Sequence, residues 1–412
     1  LPNFKKLVIH KVIFLLTFIF SVLGLKAQKL WYRVDDPESN TCFFIDTLGQ
    51  KCPVGEHQKM AINLEFSEGL ICINFKKKPT DKDAWGCLND KGDTIIKGKY
   101  LEPFYFYNGI ARVAVEPMPL KISLDGIEPD YLYQYITAQG LPINDKLFDG
   151  DGSYDMDHNW AVTKSGFQWY ILSKSGKLKE LSVDYETVNA FSNGLAKCKR
   201  MNHYTVYIDT TGWPVIDIPN ENYTGEFYNG FAPYSTVDGK YGFINNKGQP
   251  STACIYEEVS YFNEELAAIK MYNKWGFIDS KGKVVVKPEY DKAEPFVEGL
   301  ARVFSNGKYG FIDKTGKVVI PIKLNDANGF FSNGLVSISD ETQMWGVINK
   351  KGELIIKPQF INPFQFDIYG FATVEYTDKH SYKKGKLVSY EKALISKHGK
   401  VVWCSGEKLI LK

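Results

Sequence analysis

Beyond residue 30 the hydrophobic residues of this chain fall in short runs, separated by polar clusters that contain glycine. The three-and-four spacing of amphipathic helices is scarce there. Runs of this kind, rich in β-branched and aromatic residues, predict short strands joined by tight turns. Residues 290–321 show the plan. Residues 290–296 lead in as a short strand. Gly299 interrupts the chain, and residues 300–304 form a strand. Asn306-Gly307 is a two-residue hairpin signal. Residues 309–313 return as a strand, Asp313-Lys-Thr-Gly316 turns again, and residues 317–320 make a third strand, which Pro321 is expected to end.

The plan recurs. Lys274-Trp-Gly-Phe-Ile-Asp-Ser-Lys-Gly282 matches Lys308-Tyr-Gly-Phe-Ile-Asp-Lys-Thr-Gly316, Trp345-Gly-Val-Ile-Asn-Lys-Lys-Gly352, Tyr241-Gly-Phe-Ile-Asn-Asn-Lys-Gly248 and Trp85-Gly-Cys-Leu-Asn-Asp-Lys-Gly92. Weaker copies end at Gly49, Gly140, Gly176, Gly212 and Gly399. The loop glycines are spaced 43, 48, 36, 36, 36, 34, 34, 36 and 47 residues apart, so the centre is regular and the ends are not. Three positions before each stands Asp, Asn, Ser or Thr, whose side chain can accept a hydrogen bond from the backbone two residues on. The glycine can then take positive φ and close a bulged hairpin. These acids are turn-formers before they are candidates for catalysis. A second marker keeps the same beat, as in Phe191-Ser-Asn-Gly-Leu195, Phe296-Val-Glu-Gly-Leu300 and Phe331-Ser-Asn-Gly-Leu335.

On these residues the chain resembles the WG-repeat, or KWG, proteins of bacteria. The resemblance covers roughly residues 40–400, and its specific part is the Trp/Tyr-Gly-Phe-Ile-Asp/Asn-x-x-Gly run. It departs at Cys42-Phe43 and Lys392-Ala393, which stand in place of Trp-Gly in the first and last units. The resemblance implies an all-β repeat with an interaction-type role, and it carries over no catalytic residues.

A three-stranded unit cannot bury both faces alone, so neighbouring units must stack. The expected fold is all-β: tandem three-stranded meanders in an open solenoid or superhelical array. A β-propeller is the alternative, set second because about ten units exceed the usual four to eight blades. A strand glycine lets a ring or backbone approach closely. Trp85, Trp275 and Trp345, with Tyr241 and Tyr309, are therefore expected to form a repeated aromatic column in the core. The divisions are 28–148 as degenerate repeats, 149–160 as an acidic loop, 161–372 as regular repeats and 373–412 as a degenerate repeat or cap.

Residues 1–27 read as an export signal: Lys5, Lys6 and Lys11, then a 14-residue apolar run ending at Leu25, short for a membrane span, then Ala27 before Gln28. The expected location is secreted, in the periplasm or on a bacterial cell surface, with no stable membrane span after cleavage. Removing this segment takes away four lysines and no acids, so the formal charge goes from +2 to −2. That balance argues against nucleic acid as a partner. Seven cysteines remain (Cys42, Cys52, Cys72, Cys87, Cys198, Cys254 and Cys404), none in a C-x-x-C motif. An oxidising compartment would permit pairing. Its pattern is open, and the odd count leaves one thiol over in a monomer.

No nucleophile elbow, phosphate-cradling loop or His-Glu-x-x-His is present, and no two of the six histidines share metal-ligand spacing. One candidate metal site remains. Asp149, Asp151, Ser153, Asp155 and Asp157 place oxygens at alternate positions in a Gly-containing run, as a calcium loop does. Tyr154 stands where such a loop needs glycine, and Trp160 where it needs a bidentate Glu; the alternative is an acidic linker. The expected function is an exported, non-enzymatic scaffold that binds a protein or cell-envelope component. The alternatives are an envelope glycan-binding protein and an enzyme with its site in the irregular stretches 110–160 or 373–392.

Overall fold

All ten loop glycines lie at positive φ, between 70° and 87°. The turns the spacing predicts are thus formed in the weak copies as well as the strong ones. The computed structural model describes residues 31–36, 41–50, 67–76, 81–123, 126–149, 159–182, 185–201, 204–218, 223–367, 369–377, 382–383, 386–387 and 391–404. The export segment lies outside them. The described residues hold strands and no α-helix, all in small antiparallel sheets, with no closed barrel among them. The chain divides into two compact units, Leu1–Val113 with Thr137–Gly140, and Ala114–Ile136 with Leu141–Lys412.

A regular sheet of the second unit runs in chain order: Lys292–Ala293, Leu300–Ser305, Lys308–Asp313 and Val318–Leu324. The lead-in is thus a genuine two-residue strand, and regular units carry four strands rather than three. Asn306 and Gly307 lie at φ 50° and 78°, the signature of a type I′ turn. The Phe-x-x-Gly marker makes the same turn: Glu298 and Gly299 lie at 53° and 83°, and Val297 and Leu300 exchange backbone hydrogen bonds around them. In the third turn the Asp313 carboxylate accepts from the backbone N–H of Thr315 at 2.9 Å and of Lys317 at 3.1 Å. Asp279, Asn245 and Asn349 do the same in their units.

The fourth strand departs from expectation. Pro321 and Pro288 do not end it; Val318–Leu324 and Val284–Tyr290 run straight through them. The pairing register jumps from Phe277↔Val286 to Trp275↔Tyr290, leaving residues 287–289 as a bulge opposite Gly276. A Cβ on Gly276 would lie 2.5 Å from the Val286 oxygen and 2.6 Å from the Pro288 nitrogen. The glycines of Trp275-Gly276 and Trp345-Gly346 therefore make room for a proline-containing bulge, and Gly86 for one that carries Gly98 in its place. This strand is the sheet edge, so the missing N–H leaves no ladder partner wanting.

The third strand buries both faces. Phe277 packs forward with Phe296, Ala301, Val303 and Ile312 of the next sheet. Its neighbour Ile278 packs backward, with Phe262 of its own unit, against Phe243 and Tyr256 of the preceding one. Period two thus turns Gly-Phe-Ile into a strand apolar on both sides. The marker Phe of one unit lies against the inward ring of the unit before: Tyr207–Phe227 at 4.9 Å, Phe243–Phe262 at 4.7 Å, Phe277–Phe296 at 4.6 Å and Phe311–Phe331 at 4.9 Å.

The expected column of Trp and Tyr is not what forms. Trp345 is buried, but Trp275 and Tyr309 only flank the core, and Trp85 and Tyr241 are half-buried. Tyr241 meets Tyr223 and Tyr309 meets Phe304, not one another. The reason is the bulge: the space beside the strand glycine is filled by backbone, so the rings stay at the start of the strand. The aromatic contacts between sheets belong to the phenylalanines.

Candidate functional site

The repeated residues are spent on the fold. Aspartates hold turns, glycines admit bulges and turns, and Phe and Ile fill the interfaces. A site must therefore come from residues that differ between units. Exposed aromatic side chains gather in one such place, around the irregular sheet of Tyr223–Thr224, Phe231–Ser235 and Tyr241–Asn245.

Tyr223 pairs with Ser235, which pairs in turn with Tyr241, so the three lie in a row across the sheet. Ser235 is small and buried, and the two rings close over it at 5.9 Å. The strand Glu258–Val259 of the next unit brings in Ser260 and Tyr261. Together Tyr223, Pro233, Tyr241, Glu258, Val259, Ser260 and Tyr261 line a cleft of about 370 Å³. Tyr228, on a marker turn, packs its ring against Tyr261 at 4.4 Å.

The electrostatics are specific. Burial pushes the Tyr261 hydroxyl up to about 12, and Tyr223 and Tyr228 add to the rise. It stays a neutral hydrogen-bonding group at ordinary pH. Burial also raises the Glu226 carboxyl, against the Asn189 amide that donates to its Oε1 at 2.7 Å. Its other oxygen is buried with no hydrogen-bond partner. The Lys197 ammonium donates to the Thr224 carbonyl and lies 5.5 Å from the centre of the Tyr223 ring. Glu258 is held by Lys270 at 2.6 Å. The cleft thus offers ring faces, hydroxyls and a balanced pair of charges, but no nucleophile beside a base.

Of the predicted metal residues, Asp149 is described, and its carboxylate accepts from the Gly166 N–H at 2.7 and 2.9 Å. Asp151, Ser153, Asp155 and Asp157 lie outside the described residues. Among the described residues no three His, Cys, Asp or Glu gather to hold a metal ion. Of the histidines, only His398 is described, in an exposed turn. No helix among the described residues is long and apolar enough to cross a membrane. The tyrosine cleft was not singled out in the sequence. The signal was the run of Tyr204, Tyr207, Tyr223, Tyr228, Tyr234, Tyr241, Tyr256 and Tyr261, far denser than in the later units.

The family model for the WG containing repeat matches residues 85–116, 241–275, 275–309, 309–339 and 345–379. Every match begins at the Trp or Tyr that precedes a bulge-facing glycine. This chain is a WG-repeat protein. The fold of this WG-repeat protein reaches further than the matched segments, because the turns at Gly176, Gly212 and Gly399 have the same backbone form. No curated protein matches it. Among solved structures, a eukaryotic initiation factor is similar at TM-score 0.50 and 11% identity, over 92% of this chain and 96% of that one. The computationally designed protein Ika8 is similar at TM-score 0.36 and 11% identity, over 71% and 98%. BamB from Moraxella catarrhalis is similar at 0.32 and 10%, over 64% and 97%. At these identities the likeness to the initiation factor concerns the fold alone, and the other two support no further argument.

Proposed function

We propose that this WG-repeat protein is an exported, non-enzymatic scaffold that binds a protein or cell-envelope partner through the cleft at Tyr223, Tyr241 and Tyr261. The observation that carries this reading is the cleft itself. It is where exposed tyrosines from two consecutive units converge, while the repeat motif is consumed by folding. Tyrosine gives a large rigid contact area with one polar end, which suits recognition surfaces. The test is a pull-down from envelope extracts with residues 28–412, run beside the Tyr228→Ala/Tyr261→Ala double variant. Specific capture by the wild type and its loss in a variant that melts normally is the expected result. Equal capture by both would remove the cleft from the proposal.

A second reading, an envelope glycan as ligand, rests on the same rings. Sugar faces stack on tyrosines, and the Ser260 hydroxyl and Glu258 carboxylate lie beside them. Quenching of intrinsic fluorescence by soluble envelope saccharides, absent in the double variant, would favour it over a protein partner.

A further inference from the structure

Two cysteines face each other across neighbouring strands of the first unit. Leu70–Asn74 pairs antiparallel with Trp85–Asn89, and in that register Cys72 lies directly opposite Cys87. The kind of pair follows from one hydrogen bond. The Phe75 N–H donates to the Ala84 carbonyl at 2.9 Å, so 75 and 84 form a hydrogen-bonded pair. Antiparallel pairs alternate, which makes 74 and 85 non-bonded, 73 and 86 bonded, and 72 and 87 non-bonded. In non-bonded pairs the Cα atoms approach to about 4.5 Å and the side chains are closest. That separation falls within the range a disulfide spans, roughly 4.4–6.8 Å. Both residues are buried thiols, and directly opposite positions of an antiparallel pair place their side chains on the same face of the sheet.

We propose that Cys72 and Cys87 close a cross-strand disulfide when the chain folds in the presence of a disulfide oxidant. The step is an exchange. One cysteine thiolate attacks the oxidant's S–S bond and releases one thiol. The second cysteine then attacks the mixed disulfide and releases the other. Two protons and two electrons leave the protein, and the oxidant ends as two thiols.

The surroundings set the timing. Contact between the thiols, with burial, pushes the Cys87 thiol well above its ordinary range, so little thiolate exists once the sheet is covered. The exchange therefore belongs to the stage when this hairpin has formed and its neighbours have not yet packed on it. Cys198 is buried among apolar side chains, Cys254 lies against Tyr234, and Cys404 packs on the last core cluster, opposite Ala393. The bond would fix the register of a hairpin whose connection, residues 75–84, is longer than the two-residue turns of the later units. The geometry does not depend on the protein being exported.

The test uses the full chain refolded with glutathione disulfide, then unfolded, alkylated and mapped by mass spectrometry. A peptide pair joining Cys72 to Cys87, absent after reduction, is expected. Adding glutathione disulfide to protein already folded under reducing conditions should leave both thiols free to alkylate after unfolding. The Cys72→Ser/Cys87→Ser variant should lose the rise in melting temperature that oxidative refolding gives the wild type. Alkylation of both residues after oxidative refolding, or linkage of either to another cysteine, would overturn the proposal. Because the readout on the wild type needs no variant and no partner, its failure is separate from failure of the binding proposal.

Discussion

Phe277 and Trp275 lie two residues apart on one strand, yet they do different work. Phe277 is 0% exposed and joins two sheets, while Trp275 only flanks the same cluster. Size alone would rank tryptophan first; burial reverses the order. Phe277→Ala should cost about 3–5 kcal/mol and Trp275→Ala about 2 kcal/mol, read from denaturant unfolding of the two variants. A larger loss for Trp275→Ala would restore the tryptophans as the principal core aromatics. The sequence shows the Trp-Gly pair plainly, because it recurs. What it does not show is that the glycine faces Pro288 on the adjacent strand, since that contact depends on a bulge formed between two segments. A strand containing proline reads as a strand that stops, and only a partner without a Cβ permits it to continue.

At the scale of the element, the turns were legible and the sheet edges were not. Asp313, Thr315 and Gly316 make their turn-forming bonds within five residues, so local spacing suffices to predict them. The lead-in strands of two residues depend instead on the strand they pair with. The turns also confer sensitivity to acid. The Thr315 hydroxyl, donating to Asp313 at 2.6 Å, is the chief cause that holds this carboxyl below its usual range. Thr342 does the same for Asp340. A carboxyl depressed in the folded state stabilises above its unfolded value, about pH 4, and loses that contribution as pH falls through the folded value. Melting temperature should therefore drop below about pH 4. Thr315→Val should lower it modestly at neutral pH, with the gap to wild type closing in strong acid. Both carboxyls are exposed to solvent, so each effect is small. A gap that widens in acid would contradict the assignment.

At the scale of the whole molecule, stability is shared between neighbours. Each third strand of the regular stretch packs on the sheet before and the sheet after, so damage should spread one unit in each direction and fade. Phe277→Ala should speed amide exchange across residues 223–324 and leave the sheet of Phe371–Tyr376, Glu391–Ser396 and Val401–Cys404 near wild-type rates. Uniform acceleration would mean that the second unit unfolds as one body. The tyrosine cleft belongs to this scale too. It takes its lining residues from two units and the Lys197 ammonium beside Tyr223 from a third, which is why no single repeat announces it.

The marker turns carry one more consequence. The Gly299 N–H donates to the Glu264 carboxylate of the unit before at 3.0 Å, and the Gly334 N–H donates to Glu298 at 2.9 Å. Lys314 reaches Glu264 at 3.3 Å, and Lys350 reaches Glu298 at 3.2 Å. Every such unit presents an acceptor to its successor and a donor to its predecessor, by means of the same few residues. A unit duplicated by recombination would arrive with both halves of the joint already matched. The array is thus a one-way polymer of self-compatible links, able to gain or lose a link during evolution without redesign of the seam.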